Sequence, residues 1–291
     1  MPLVELTAGP ISYEDTGGDG PVLVLLHGLL MNGSVWRKVV PELEDGHRCI
    51  TPTLPLGSHR IPMRRDADLS LTGLAALVAE FLEALDLNDV TLVFNDWSPG
   101  QVLVASGRTE RIGRLVFVAC EAFENYPPGL PGSLAGLAAR VPGGVKGATQ
   151  PLRMRSLRRS PAAFGWMSKR PVPDEVLDDW LEPVLDQSAV RRDLTKYARS
   201  GREARRATLA ADESLALFSK PVLVVWASED RVMPSEHGPR LAELFPRGRL
   251  VWIDDSYTLI PEDQPVRLAD ELRVFVAETA AARRVPQMRT A

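Results

Sequence analysis

The chain has 291 residues, 45% hydrophobic and 25% charged, with a formal net charge of −4. That composition belongs to a globular protein long enough to bury a sizeable core; it excludes a disordered tail, a collagen-like repeat and a disulfide scaffold, and the negative balance argues against a general nucleic-acid binder. No apolar run approaches the ~20 residues of a membrane span, and no basic segment followed by an apolar one opens the chain, so neither a membrane anchor nor a signal peptide is expected.

In chain order, Leu3–Leu6 and Ile11–Glu14 read as two short strands separated by a Gly-Pro turn. Val22 to Leu26 is apolar on both faces, as a central parallel strand is, and ends at His27-Gly28. Trp36–Leu43 suits a helix, and Cys49–Thr51 a strand that runs into a proline-rich loop. Thr72 is placed to cap a helix carrying Leu74, Leu77, Val78, Phe81, Leu82 and Leu85 at helical spacing. Further apolar runs follow at Val90–Phe94, Leu115–Ala119, Pro221–Trp226 and Leu250–Ile253, with helices predicted over Pro99–Ser106 and Arg267–Ala277. Cys49 and Cys120 both sit in apolar runs and read as buried free thiols of a reducing, cytoplasmic compartment.

Strands alternating with helices predict a mostly parallel, doubly wound α/β sheet. The alternation lapses over residues 123–215, which read as a helical insertion between a first core part, 1–122, and a second, 216–279; residues 280–291 read as a frayed tail.

Ligands of open α/β sheets bind at the carboxyl ends of the strands. After Val90–Phe94 comes Asn95-Asp96-Trp97-Ser98-Pro99-Gly100 and then helix. A strand-to-helix turn this tight lifts its central side chain to the top of the sheet beside a helix N-terminus, which favours an anion. The residue at the tip is Asp96, whose carboxylate can attack carbon and form an ester. A plain helix-capping role for Asp96 is the competing reading. Sliding the frame to make Ser98 the nucleophile would put Asn95 and Asp96 inside the strand, which their β-propensities disfavour.

The chain resembles the α/β-hydrolase fold superfamily, and its elbow is similar to that of haloalkane dehalogenases and epoxide hydrolases. The likeness is carried by His27-Gly28 after the first long strand, by Asn95-Asp96-Trp97, and by Trp226-Ala227-Ser228-Glu229-Asp230 after a late strand. It implies a helical cap over residues 123–215 and oxyanion donors from the backbone of Leu29 and Trp97. It also implies a halide-holding role for the Trp97 indole and a small apolar substrate: a halide, an ester or an epoxide. The second halide donor often found directly after His-Gly has no match at Leu29, and Asn32 is out of register.

The acid that orients the base in such enzymes falls on Asp230, or alternatively on Glu121 after the strand that precedes the insertion. The histidine register falls on Thr258, a hydroxyl with no basic form near pH 7. Of the four histidines, His27 belongs to the His-Gly turn, His47 precedes a strand at an exposed position, His237 lies on a helix, and His59, in the proline-rich loop, is the least implausible substitute. Three outcomes stay open: a hydrolase whose water is activated by Glu121 or Asp230, a lyase or isomerase that needs no ester hydrolysis, or a ligand-binding pseudo-hydrolase.

Phe123, Tyr126, Phe164, Trp166 and Met167 are expected to make the insertion's inner surface apolar, and Arg153, Arg155, Arg158 and Arg159 form a basic cluster best read as a solvated helix face. No CxxC or HxxH spacing and no phosphate-binding glycine loop occurs, so no metal and no cofactor is expected.

Overall fold

A computed structural model describes residues 1–96, 99–125 and 129–284, with the backbone alone at 129–131 and 282–284. The elements run β1 Leu3–Leu6, β2 Gly9–Asp15, β3 Val22–Leu26, α1 Val40–Leu43, β4 Arg48–Pro52, α2 Leu71–Ala84, β5 Val90–Asp96, α3 Gly100–Ala105 and β6 Ile112–Cys120. Helices then follow one another as α4 Gly129–Ala138, α5 Gly144–Thr149, α6 Arg155–Arg158, α7 Asp174–Asp186, α8 Ser188–Arg199, α9 Gly201–Leu209 and α10 Asp212–Ala216. The chain closes with β7 Val222–Ala227, α11 His237–Leu244, β8 Gly248–Ile253, α12 Ile260–Asp263 and α13 Pro265–Arg284.

The eight strands form one sheet in the order β1-β2-β4-β3-β5-β6-β7-β8. β1 and β2 join antiparallel at one edge; from β4 to β8 every pairing is parallel. The order reverses on either side of β3, and such a switch point opens a crevice above the strand ends. β5, β6 and β7 are buried along their whole length, which is why they are near-continuous apolar runs. Phe94, Phe117 and Phe245 stack in series through this central layer, with ring centroids 5.3 and 5.7 Å apart.

Several boundaries differ from the sequence reading. Ser70, not Thr72, caps α2, accepting a hydrogen bond from the Gly73 N–H at 3.1 Å. The predicted helix over Trp36–Leu43 is split into a 3₁₀ turn at Gly33–Trp36 and the short α1. α13 runs on to Arg284, so residues 280–284 are its last turn and not a frayed tail. Asn95 and Asp96 lie in β5 and pair with Val118 and Cys120 of β6, so the β-propensity argument against the Ser98 frame fails. Ser98 itself lies outside the described residues, as do Trp97 and Tyr126.

Cys49 and Cys120 are both buried free thiols. Burial, then the charges of Glu44 and Asp15, pushes the Cys49 thiol up to about 12, and burial pushes Cys120 up as well. Among the described residues no helix is long and apolar enough to cross a membrane.

Candidate active site

Asp96 ends β5 with φ of +64°, a left-handed conformation uncommon for residues other than glycine, asparagine and aspartate. Two neighbours impose it. Opposite, β6 carries one residue more: Asn95 pairs with Val118 but Asp96 with Cys120, and the skipped Ala119 also has positive φ, at +35°. A bulge of this kind re-aims the side chain at a strand end. The Glu121 N–H then donates to the Asp96 carbonyl at 3.0 Å and fixes the turn.

The Asp96 carboxylate is 3% exposed, and its Oδ2 accepts a hydrogen bond from the Leu29 N–H at 3.2 Å. Leu29 is therefore where the family's oxyanion donor is expected, one residue past His27-Gly28. His27 is structural: its Nε2 accepts from the Leu54 N–H at 2.8 Å, and burial lowers its pKa to about 4, so the ring is neutral and built into the loop.

Asp96 opens onto a cavity of about 630 Å³ between the sheet and helices α4, α5, α6 and α8. Leu29, Leu30 and Val232 from the sheet side meet Ala135, Phe164, Met167 and other residues of the helical segment there, and among the described residues of these walls Asp96 is the one ionisable group. Phe164 and Met167 line this cavity as expected. Phe123 does not: its ring is fully buried edge-on to His237, 5.2 Å between centroids, under the Arg240 guanidinium. Trp166 packs on the core and is not among the cavity walls.

Position 258, where the histidine register is expected, meets Asp230. Thr258 is fully buried, and its hydroxyl donates to Asp230 Oδ1 at 2.8 Å. Its carbonyl accepts from Asn95 Nδ2 at 2.9 Å, and the same amide donates to the Val118 carbonyl at 2.9 Å. Asn95 thus ties the loop after β8 to the strand that carries Asp96. The loop is also pinned from the far side by the buried carboxylate of Asp263, which accepts from the N–H groups of Lys169, Arg170 and Tyr257 at 2.8 to 3.0 Å. The sequence reading singled out neither Asn95 nor Asp263 as a site residue. An amide directly before the elbow and a carboxylate directly before Gln264-Pro265 were the signals on offer.

Asp230 Oδ1 also accepts the N–H groups of Val232 and Met233, at 2.8 and 2.9 Å, while Oδ2 is enclosed with no hydrogen-bond partner among the described residues. Burial pushes this carboxyl up to about 6 against the pull of those donors. The folded state therefore holds the Asp230 proton more tightly than the unfolded chain, whose carboxyl titrates near 3.8. The stability this contributes is full below that value and is lost as pH rises through about 6. Between pH 4 and pH 7, Asp230→Asn should gain on the native protein by about 2–3 kcal/mol, read as the change in their stability difference in denaturant melts. A pH-independent difference would show that Asp230 titrates normally.

Glu121, 3% exposed at the end of β6, contacts the elbow through its backbone and is not among the cavity walls. Asn32 caps the turn at Gly33 and donates to Asp179 at 2.6 Å, so it is committed away from the cavity. His59 is buried against Asp193, Nε2 to Oδ2 3.3 Å, and Asp193 also takes the Met63 N–H at 2.8 Å. This buried cluster joins the proline-rich loop to α8, and His59 is not among the cavity walls. His47 is half-buried over the Leu43 carbonyl, at 3.2 Å, and not exposed as expected. Arg153, Arg155 and Arg159 are exposed and paired with Asp186, Asp178 and Asp174, as a solvated face would be, but Arg158 is not solvated: it is buried, on Asp178 and the Leu152 carbonyl.

A family model for the alpha/beta hydrolase fold matches residues 21–265. Haloalkane dehalogenase 1 of Mycobacterium bovis is 30% identical over 282 residues, spanning 87% of this chain and 82% of that protein. The uncharacterized hydrolase YugF of Bacillus subtilis is 24% identical over 275 residues, spanning 91% of this chain and 92% of that protein. The crystal structure of haloalkane dehalogenase DbeA from Bradyrhizobium elkani shares the fold at a TM-score of 0.76 and 18% identity, over 96% of this chain and 97% of that one. The switch-point sheet, the elbow at Asp96 and the extent of these matches agree, and the chain belongs to the α/β-hydrolase fold family, resembling its haloalkane dehalogenases.

Proposed function

We propose that this protein is a hydrolase of small apolar substrates in which Asp96 is the nucleophile and the helices of residues 123–215 act as a cap. One observation carries the reading: a carboxylate held at φ +64° on an N–H donor is, among the described residues, the one ionisable group on the walls of an apolar cavity. With a haloalkane, Asp96 Oδ1 attacks the carbon bearing the halogen. The C–O bond forms, the C–halogen bond breaks, and the halide leaves with the electron pair. In the family the elbow tryptophan, here Trp97, holds that halide. Oδ2 becomes the carbonyl oxygen of the ester and already sits on the Leu29 N–H, where oxyanion charge would develop when water attacks.

The second step is where this chain departs from its relatives. A neutral threonine stands between Asp96 and Asp230, and it offers Asp230 a hydrogen bond but offers water no base. Asp230, ionised at pH 7, is the group this reading assigns to water activation, acting past Thr258. The ester should therefore form faster than it is hydrolysed.

The test is intact-protein mass after incubation with bromoalkanes, epoxides and activated esters. A single alkyl adduct on the native protein that is absent from Asp96→Ala supports the reading. An adduct that survives Asp96→Ala, or neither adduct nor halide release with any substrate, overturns it.

A further inference from the structure

A second depression, of about 380 Å³, runs along the outside of α4, α8 and the start of α9. It shares walls with the apolar cavity: Gly132, Ala135, Leu137 and Ala198 line both. Its remaining walls carry Arg140, Arg199, Arg202 and Arg205 and no carboxylate; Glu203, the one acid of α9, is not among them. These four guanidiniums differ from the basic cluster at and around α6. There each arginine has an aspartate partner, whereas here none is ion-paired to a carboxylate among the described residues. All four side chains are exposed and convergent on one groove, and Arg199 alone is committed, donating through Nε to the Ala139 carbonyl at 2.8 Å. The rim between the two spaces is apolar and open to solvent, with Leu134 43% and Leu137 61% exposed. Exposed leucines beside unpaired arginines cost solubility and self-repulsion unless something covers them.

We propose that the substrate is an amphiphile, with an alkyl or acyl arm in the apolar cavity and a phosphate group on the arginine groove. A phosphate presents several acceptor oxygens and more than one negative charge, which suits several convergent guanidinium forks better than a single carboxylate does. On this proposal one molecule spans both spaces across their common border at Leu137, Ala135 and Ala198, with the arm in the cavity and the headgroup outside among the arginines. This names the substrate class of the Asp96 site and rests on that reading only for the reacting end.

Binding, not turnover, tests it, so it stands apart from the fate of Asp96. Decyl phosphate and decanol, below their aggregation limits, are titrated calorimetrically into three proteins: the native chain, Arg202→Glu/Arg205→Glu, and Arg108→Glu/Arg247→Glu. The last carries the same charge change on exposed arginines elsewhere. The native chain should prefer decyl phosphate by about tenfold or more. That preference should vanish in the groove variant, with decanol affinity kept, and persist in the control. An equal loss in both variants would show diffuse charge and overturn the groove; so would no preference in the native chain. Sedimentation with phosphatidylglycerol and phosphatidylcholine vesicles distinguishes the source of the phosphate. Co-sedimentation with the anionic vesicles alone marks a lipid headgroup, and none with either marks a free amphiphile. Repeating the titration with Asp96→Asn separates the two readings: an intact preference there, with no adduct in the native chain, keeps the substrate class and removes the nucleophile.

Discussion

Thr258→His should speed hydrolysis of the Asp96 ester by about 10²–10⁴-fold, the span that a positioned general base contributes. The position is prepared. The residue lies between the elbow and Asp230, its backbone is held by the Asn95 amide, and its side chain already bonds the carboxylate that would orient an imidazole. Asp230, ionised at neutral pH, would then stabilise the imidazolium formed as water attacks. The measurement is decay of the preformed alkyl adduct, followed by mass. Thr258 is fully buried, so the larger ring has to displace neighbours. Thr258→Gly with added imidazole reaches the same end without that load. If a folded Thr258→His and imidazole-treated Thr258→Gly both leave decay unchanged, the base is not what limits the second step.

Gly28→Ala should cut the rate of adduct formation by about 10²-fold or more, the cost of displacing a reacting group by about an ångström. A Cβ built at Gly28 would lie 2.5 Å from Asp96 Cβ and 2.6 Å from its Cγ, distances no pair of real carbons keeps. The aspartate cannot swing away cheaply, because its backbone is already in a left-handed conformation fixed by the bulge at Ala119. The carboxylate must leave the Leu29 N–H instead. The native glycine is thus required by close approach of the two loops and not by its own φ. The stopped-flow rate of halide release measures the effect, and a rate within a factor of about 2 of native would mean the carboxylate seen on Leu29 is not the reactive one.

How much of this could be read from residues alone depended on sequence distance. β3, β5, β6 and β7 announced themselves because strands buried on both faces are near-continuous apolar runs. Asp96, Leu29, Asp230 and Thr258 were located through short motifs, each bound to one strand end. What stayed hidden was contact between those ends. The bond from Asn95 to the Thr258 carbonyl spans 163 positions, and that of His59 to Asp193 spans 134; no local pattern reports either. The cavity escaped for a different reason. Much of its wall is small residues such as Ala135, Ala138, Ala148 and Ala163, which helical periodicity ranks as neutral and only packing assigns to a face. The choice between Asp230 and Glu121 as the partner of position 258 likewise needed the fold: the hydroxyl of Thr258 meets Asp230.

The two cysteines give the protein a built-in clock. A thiol must ionise before it takes up an alkylating reagent, and both thiols here are buried with their ionisation pushed far above neutrality. In the native chain neither should be labelled, so an alkyl group acquired without unfolding is not on sulfur. Once the β4 and β6 segments come apart, two labels should appear together, and the rate of their appearance times the opening of the central sheet. One mass spectrum then reads both chemistry at the elbow and integrity of the strands beneath it.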